Sequence, residues 1–423
     1  MALDITRLSG GNTPADGSDP RTFPAIWNET SDALEALELD DLTGVTVTSP
    51  TTGQVLEYDG SAWVNVDAEE VVSAPGDNLI YNGAMQVAQR GTSETGITGT
   101  SYFTADRWLT LLVTLGTFTQ TIEDDGPTGS GFAKSLKMEC TTADAAPASG
   151  DLLVISQRLE GYDLQGLKKG SSSAESLTLS FWVKSNVTGT YVAELDDADN
   201  GRNISASYTI SSSGTWEKKT ITFDGDTTGV LDADNARSLS LAFWLGAGSN
   251  FTSGSLQTSW GAEVVANRAV GQTNLAASTS NYWQVTGVQL EAGTVATSFE
   301  HKPYGVEFAE CQRYTFNLTS QNLNYFSTGT YYNSSTLFGL IQFPTTMRVA
   351  PTLDAFSGTD AYVFDRAGTN DRFNSFTIVG ASTTSCALRN NTEVSGSAGD
   401  SGVITTNSSG AAFSGSIIFD AEL

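Results

Sequence analysis

Leu177, Leu179, Phe181 and Val183 alternate with Thr178, Ser180, Trp182 and Lys184, and Leu239, Leu241, Phe243 and Leu245 alternate with Ser240, Ala242 and Trp244. A period of two suits a pleated strand with one face on a core and is incompatible with a helix, whose apolar stripe repeats every three to four residues. Trp216 to Phe223 is a further strand candidate, ending at the turn pair Asp224-Gly225. Between Tyr282 and Glu291, Trp283 and Val285 lie on one parity and Val288 and Leu290 on the other, so a β-bulge is expected at Gly287. Short alternating runs return at Ser335 to Phe343, Tyr362 to Phe364, Phe376 to Val379 and Ile417 to Phe419. The expected fold class is all-β: tandem antiparallel β-sandwich or jelly-roll domains in an elongated fibre, with a short N-terminal helix.

At 423 residues the chain exceeds what one core usually fills. Its charge, −27 from 48 acids against 21 Lys and Arg, repels nucleic acid and anionic bilayers at long range, so neither is an expected partner. An acidic surface still approaches an anionic polymer at high ionic strength, where the Debye length falls to roughly 3 Å near 1 M salt. Cys140, Cys311 and Cys386 show no CxxC spacing and read as free buried thiols. The first twenty residues lack the basic and apolar regions of a signal peptide, and no apolar run approaches the ~18 residues of a membrane-spanning helix. Folding in the cytoplasm where it is made, with no membrane insertion, is therefore expected.

The pattern divides the chain. In residues 1–40, Ile26, Thr30, Ala33 and Leu37 fall at heptad-like spacing on a helix too short to stand alone, which points to bundling with other copies or locking onto a partner. Residues 41–76 hold a hairpin signal, two short strands flanking Asp59-Gly60 with Val55 and Trp63 as anchors. Residues 77–304 read as a sandwich or jelly roll, and 305–423 as a second small sandwich forming a head.

Thr51 to Asp67, TTGQVLEYDGSAWVNVD, resembles the G-x-V-L-x-Y-D-G-S-x-W-x-N shaft repeat of phage tail fibre proteins. The runs NLIYNGAMQVAQRG from Asn78, TADRW from Thr104, LSFWVK from Leu179 and VQLEAGTVATSF from Val288, followed by Pro303-Tyr304, resemble the carbohydrate-binding-module-like jelly roll of phage tail proteins. FPTTMRVAP from Phe343 is similar to an F-P-x-x-M-R-x-x-P element of distal domains in such proteins. The resemblance implies a homotrimeric tail fibre of the virion, assembled in the host cytoplasm, that attaches to tail proteins through its N-terminus and binds a host surface polysaccharide without catalysis. A glycan-cleaving depolymerase and a passive shaft, adaptor or decoration protein are the alternatives.

Sugar binding needs flat aromatic faces beside polar groups, because a pyranose has an apolar face and a polar rim. Trp182 and Trp244 stand opposite the aliphatic faces of their strands and would share one surface if those strands are neighbours, with Lys184 or Glu194 as polar partners; burial against the N-terminal strand, a covering loop or the next subunit is the alternative. Tyr325, Phe326, Tyr331 and Tyr332 flank Gly329 in a polar stretch read as a loop or hairpin tip, suited either to recognition or to hairpin packing. No catalytic residues are expected: His301 is the sole histidine and no G-x-S-x-G elbow accompanies it. Nor is there the stacked repeat of a parallel β-helix, the usual depolymerase scaffold. No cofactor is expected, although the acidic stretches Asp196 to Asn200 and Asp232 to Asn235 could hold a structural calcium and otherwise are solvated loops.

Overall fold

The computed structural model describes residues 45–46, 48, 54–58, 61–67, 78–320, 324–407 and 415–423, in two compact units, Met1–Ser73 and Ala74–Leu423. Ile26, Thr30, Ala33 and Leu37 lie outside the described residues. In the first unit β2 (Gln54–Tyr58) and β3 (Trp63–Asp67) pair antiparallel with Tyr58 opposite Trp63, and β1 (Val45–Thr46) adds parallel to β3. The two strands flanking Asp59-Gly60 are thus those the hairpin signal implies.

The second unit opens with thirteen strands: β4 (Ser93–Ile97), β5 (Ser101–Tyr102), β6 (Leu109–Val113), β7 (Thr117–Glu123), β8 (Ser135–Thr142), β9 (Leu152–Glu160), β10 (Leu177–Ser185), β11 (Gly189–Asp197), β12 (Arg202–Ile210), β13 (Glu217–Phe223), β14 (Arg237–Ala247), β15 (Gly261–Ala262) and β16 (Tyr282–Ala292). They form two antiparallel sheets, a six-stranded one ordered β13-β10-β16-β8-β7-β4 and a seven-stranded one ordered β15-β12-β11-β14-β9-β6-β5.

The alternating residues meet between these sheets. Leu179, Phe181 and Val183 of β10 face Leu241, Phe243 and Leu245 of β14, with Trp283 of β16 and Trp108 in the same cluster, all fully buried. Phe243 is the hub, its ring centroid 5.0 Å from Phe181, 5.6 Å from Trp283 and 6.3 Å from Trp108. Close packing leaves no room for collapse around a missing ring, so Phe243→Ala is expected to cost about 3–5 kcal/mol in urea unfolding. A loss below about 1 kcal/mol would contradict that role. The bulge expected at Gly287 is present: the β10–β16 register shifts there, Gly287 has φ +60, and an added Cβ would lie 2.6 Å from the Phe132 ring.

After the helix Tyr304–Gln312 come β17 (Thr315–Thr319), β18 (Tyr325–Asn333), β19 (Thr336–Gln342), β20 (Thr352–Ala355), β21 (Tyr362–Arg366), β22 (Thr369–Phe373), β23 (Thr377–Val379), β24 (Ser385–Asn390), β25 (Ser401–Thr406) and β26 (Ile417–Asp420). A sheet β17-β26-β20 and a seven-stranded sheet β22-β21-β25-β18-β19-β24-β23 enclose a second core around Tyr362, Phe373, Phe376 and Phe419. Cys140, Cys311 and Cys386 are free and buried, as expected. No helix among the described residues is long and apolar enough to cross a membrane.

Tyr325 to Asn333 is not a loop but the strand β18, in the middle of its sheet, and this corrects the reading of Gly329 as a turn residue. The position is crowded: a Cβ would come within 2.9 Å of the Ile404 side chain on the next strand and 3.1 Å of the Phe338 carbonyl oxygen. Tyr331 points inward, 1% exposed, and donates its hydroxyl to Asp371 at 2.6 Å, while Phe326 packs on Tyr362 and Phe376. Only Tyr325 and Tyr332, 61% and 74% exposed, are open to solvent, so four aromatics do not form one patch.

Candidate functional site

Trp182 and Trp244 do not share a surface. β10 belongs to the six-stranded sheet and β14 to the seven-stranded one, so their outward indoles stand on opposite sides of the sandwich. Outward parity holds for both, since each alternates with core residues.

The outer face of the seven-stranded sheet carries a cleft of about 260 Å³. Outward positions of its central strands supply the floor: Glu194 and Asp196 from β11, Ser240, Ala242 and Trp244 from β14, Val154, Ser156 and Arg158 from β9. The segment after β14 folds back over one end, bringing Phe251, Glu263 and Arg268. Phe251 lies 5.3 Å from the Trp244 ring and the Arg268 guanidinium 5.5 Å above it. Trp244 is consequently 2% exposed, a floor residue rather than an open stacking face, in line with the alternative of burial under a covering loop.

Glu194 is the centre of the polar floor. It is fully buried and accepts four hydrogen bonds: from Arg268 Nε (2.8 Å) and Nη2 (3.0 Å), from Trp244 Nε1 (2.8 Å) and from Asn203 Nδ2 (2.9 Å). Arg268 also reaches Glu263 at 3.2 Å. This closed set fixes the floor, and the more exposed polar groups lie at the rim. There Arg237 donates to Ser240 Oγ at 2.8 Å and pairs with Asp196, with its side chain 34% exposed. Burial and the neighbouring cations Arg158 and Arg268 push Arg237 below the usual guanidinium range. Arg268 and Arg237 come from segments without strand alternation around them or from a strand end, and nothing in the sequence marks them.

Of the other candidates, Lys184 lies on the far sheet, paired with Asp125 and 5.0 Å from the Trp216 ring. Of the two acidic stretches, the first starts on β11 and the second leaves Asp232 exposed. Asp197, fully buried, and Asp226 clasp the Lys169 ammonium, which sits 4.6 Å from the Trp260 ring. Among the described residues no group of three or more His, Cys, Asp or Glu has metal-binding geometry. His301 packs with Phe132 and Phe299, ring centroids 5.2 and 4.9 Å away.

Comparison with family models and with curated proteins gave no match. Among solved structures, the chain is similar to the enzymatically active domain of bacteriophage CBA120 tailspike protein 4, with 14% identity and a TM-score of 0.27 over 51% of this chain and 21% of that one. It is similar also to TmCBM61 in complex with beta-1,4-galactotriose, with 9% identity and a TM-score of 0.27 over 51% of this chain and 99% of that one. A third is the family 11 carbohydrate-binding module from Clostridium thermocellum in complex with a mixed-linked tetrasaccharide, with 14% identity and a TM-score of 0.25 over 53% and 99%.

Proposed function

We propose that this chain is a non-catalytic, saccharide-binding fibre protein of a phage tail, holding a host surface glycan in the cleft of its seven-stranded sheet. The observation that carries the reading is the cleft itself, in which the apolar side chains of Leu111, Leu152, Val154 and Phe251 share one cavity with hydroxyl, carboxylate and guanidinium groups. Such a pairing matches the two sides of a sugar ring. The sequence segments that resemble tail-fibre shaft and jelly-roll elements support the phage assignment. In a homotrimer, three such sites would act together, and avidity would raise apparent affinity well beyond that of one cleft.

The non-catalytic part rests on Glu194. A general acid or base must have a proton or lone pair to offer, and this carboxylate spends its acceptor positions on Arg268, Trp244 and Asn203.

Titration calorimetry of the purified full chain against host surface polysaccharide tests the reading, with the supernatant assayed for reducing ends. Saturable binding without sugar release is expected, and Arg237→Gln or Glu263→Gln should weaken it about five- to tenfold at unchanged melting temperature. Release of sugar would make the protein a depolymerase. Binding indifferent to both rim substitutions would remove the cleft from the proposal.

A further inference from the structure

A second groove, of about 280 Å³, opens on the outer face of the other sheet. Trp182 forms part of its surface, partly exposed, together with Phe132, Phe299 and His301. The last three rings brace one another, Phe132 and Phe299 edge to face at 4.9 Å, and the Phe132 ring rests on Gly287, where no larger residue fits. A flat indole face is therefore held at the edge of a built cavity.

Two polar groups line this groove beside the indole. One is the Ser180 hydroxyl, on a residue 4% exposed. Lys218 stands directly across the strand pair from Trp182 and is exposed. Every other lysine of the chain holds a carboxylate at ion-pair distance. Lys218 holds none among the described residues, although acids outnumber bases 48 to 21 in the sequence. Among the lining residues the ionisable groups are Lys218 and His301, both bases, with no carboxylate. The first cleft, by contrast, is lined by three carboxylates.

We infer that this groove is a second saccharide site, selective for a sugar residue bearing an acidic substituent, whose ring stacks on Trp182 while its anionic group meets the Lys218 ammonium. The inference shares only the ligand class with the proposal above, since its residues lie on the opposite sheet. The chain's overall negative charge opposes approach at long range, but at 0.15 M salt that field is screened over about 8 Å and the local ammonium prevails at contact.

The test is titration calorimetry on the full chain at 0.15 M salt. The probes are tetragalacturonate, a chondroitin sulfate tetrasaccharide and a phosphorylated mannose, each beside its uncharged counterpart. At least one acidic probe should bind about fivefold tighter than its counterpart, the scale of a partly exposed ion pair. That preference should vanish in Lys218→Gln, persist in Arg237→Gln, and decline as salt is raised. Trp182→Ala should weaken the acidic and uncharged forms alike by tenfold or more, and Lys218→Gln, on the surface, carries the test should that variant not fold. Equal affinity within every pair, a preference that survives Lys218→Gln, or one lost only in Arg237→Gln would overturn the assignment, as would no binding of any probe. A lost preference in Lys218→Gln beside intact host-polysaccharide binding separates this site from the first cleft.

Discussion

Replacing Arg107 with alanine should destabilise the second unit by about 3–5 kcal/mol, the usual cost of removing one partner from a buried charge pair. The side chain is fully buried and pairs with Glu422, itself 4% exposed. Its Nη2 donates to the Arg158 carbonyl at 2.6 Å, and the guanidinium lies 3.4 Å from the Tyr314 ring centroid. Without it, Glu422 keeps only the longer contact to Arg90 at 3.5 Å and the Thr315 hydroxyl at 3.1 Å. The same seam contains Arg313 on Glu160 at 2.6 Å and Arg348 donating to the carbonyls of Ala421 and Glu422, both at 2.7 Å. These contacts tie residues 313–348 and 420–423 to the sandwich, so calorimetry of Arg107→Ala should show the two cores melting at separate temperatures where the wild type melts once. A Glu422→Gln partner permits a double-mutant cycle, for which a coupling above about 1.5 kcal/mol is expected. Additivity within about 0.5 kcal/mol would mean the pair does not join the two cores.

The Lys169 clasp gives the second large effect, and it depends on pH. Burial pushes the Asp226 carboxyl up, but hydrogen bonds from Arg202 and Lys169 outweigh this and hold it down at about 2. A carboxylate whose folded pKa lies below its unfolded value contributes stability that is complete above the unfolded value, near 4, and is lost as pH falls through the folded one. The span corresponds to about 2 kcal/mol, disappearing between about pH 4 and pH 2. Lys169→Met should cost more at neutral pH, about 3–5 kcal/mol, because Asp197 and Asp226, 0% and 2% exposed at their side chains, would then face each other without the ammonium between them. Urea unfolding of wild type, Asp226→Asn and Lys169→Met across pH 2 to 7 checks both. A wild-type advantage over Asp226→Asn that stays constant down to pH 2 would dismiss the linkage.

Strand parity was legible in the sequence, and partnership was not. The alternation around Phe181 and Phe243 gave the inward and outward faces of β10 and β14 correctly, and the parity switch at Gly287 located a real bulge. Parity is local, however, whereas assignment to a sheet is set by pairings between distant strands, so Trp182 and Trp244 read alike while facing opposite solvents. Gly329 misled for a related reason: glycine serves a turn and a crowded strand equally well, and the crowding atom, on Ile404, is remote in sequence. Arg268 and Phe251 convert Trp244 into a floor residue, yet they occupy a segment with no periodicity to flag it. Lys218 was equally silent, since what distinguishes it is the partner it does not have among the described residues.

The pairing of Arg107 with Glu422 also bears on how the molecule is made. During vectorial synthesis, at roughly 5–20 residues per second, the strands of the sandwich emerge on the order of tens of seconds before residue 422 does. For that interval Arg107 is a cation whose counter-charge has not yet been translated, and the nascent sandwich must leave this edge hydrated. Burial of the guanidinium then becomes a late event in folding, and the finished native state a checkpoint that only chains translated through residue 422 can pass.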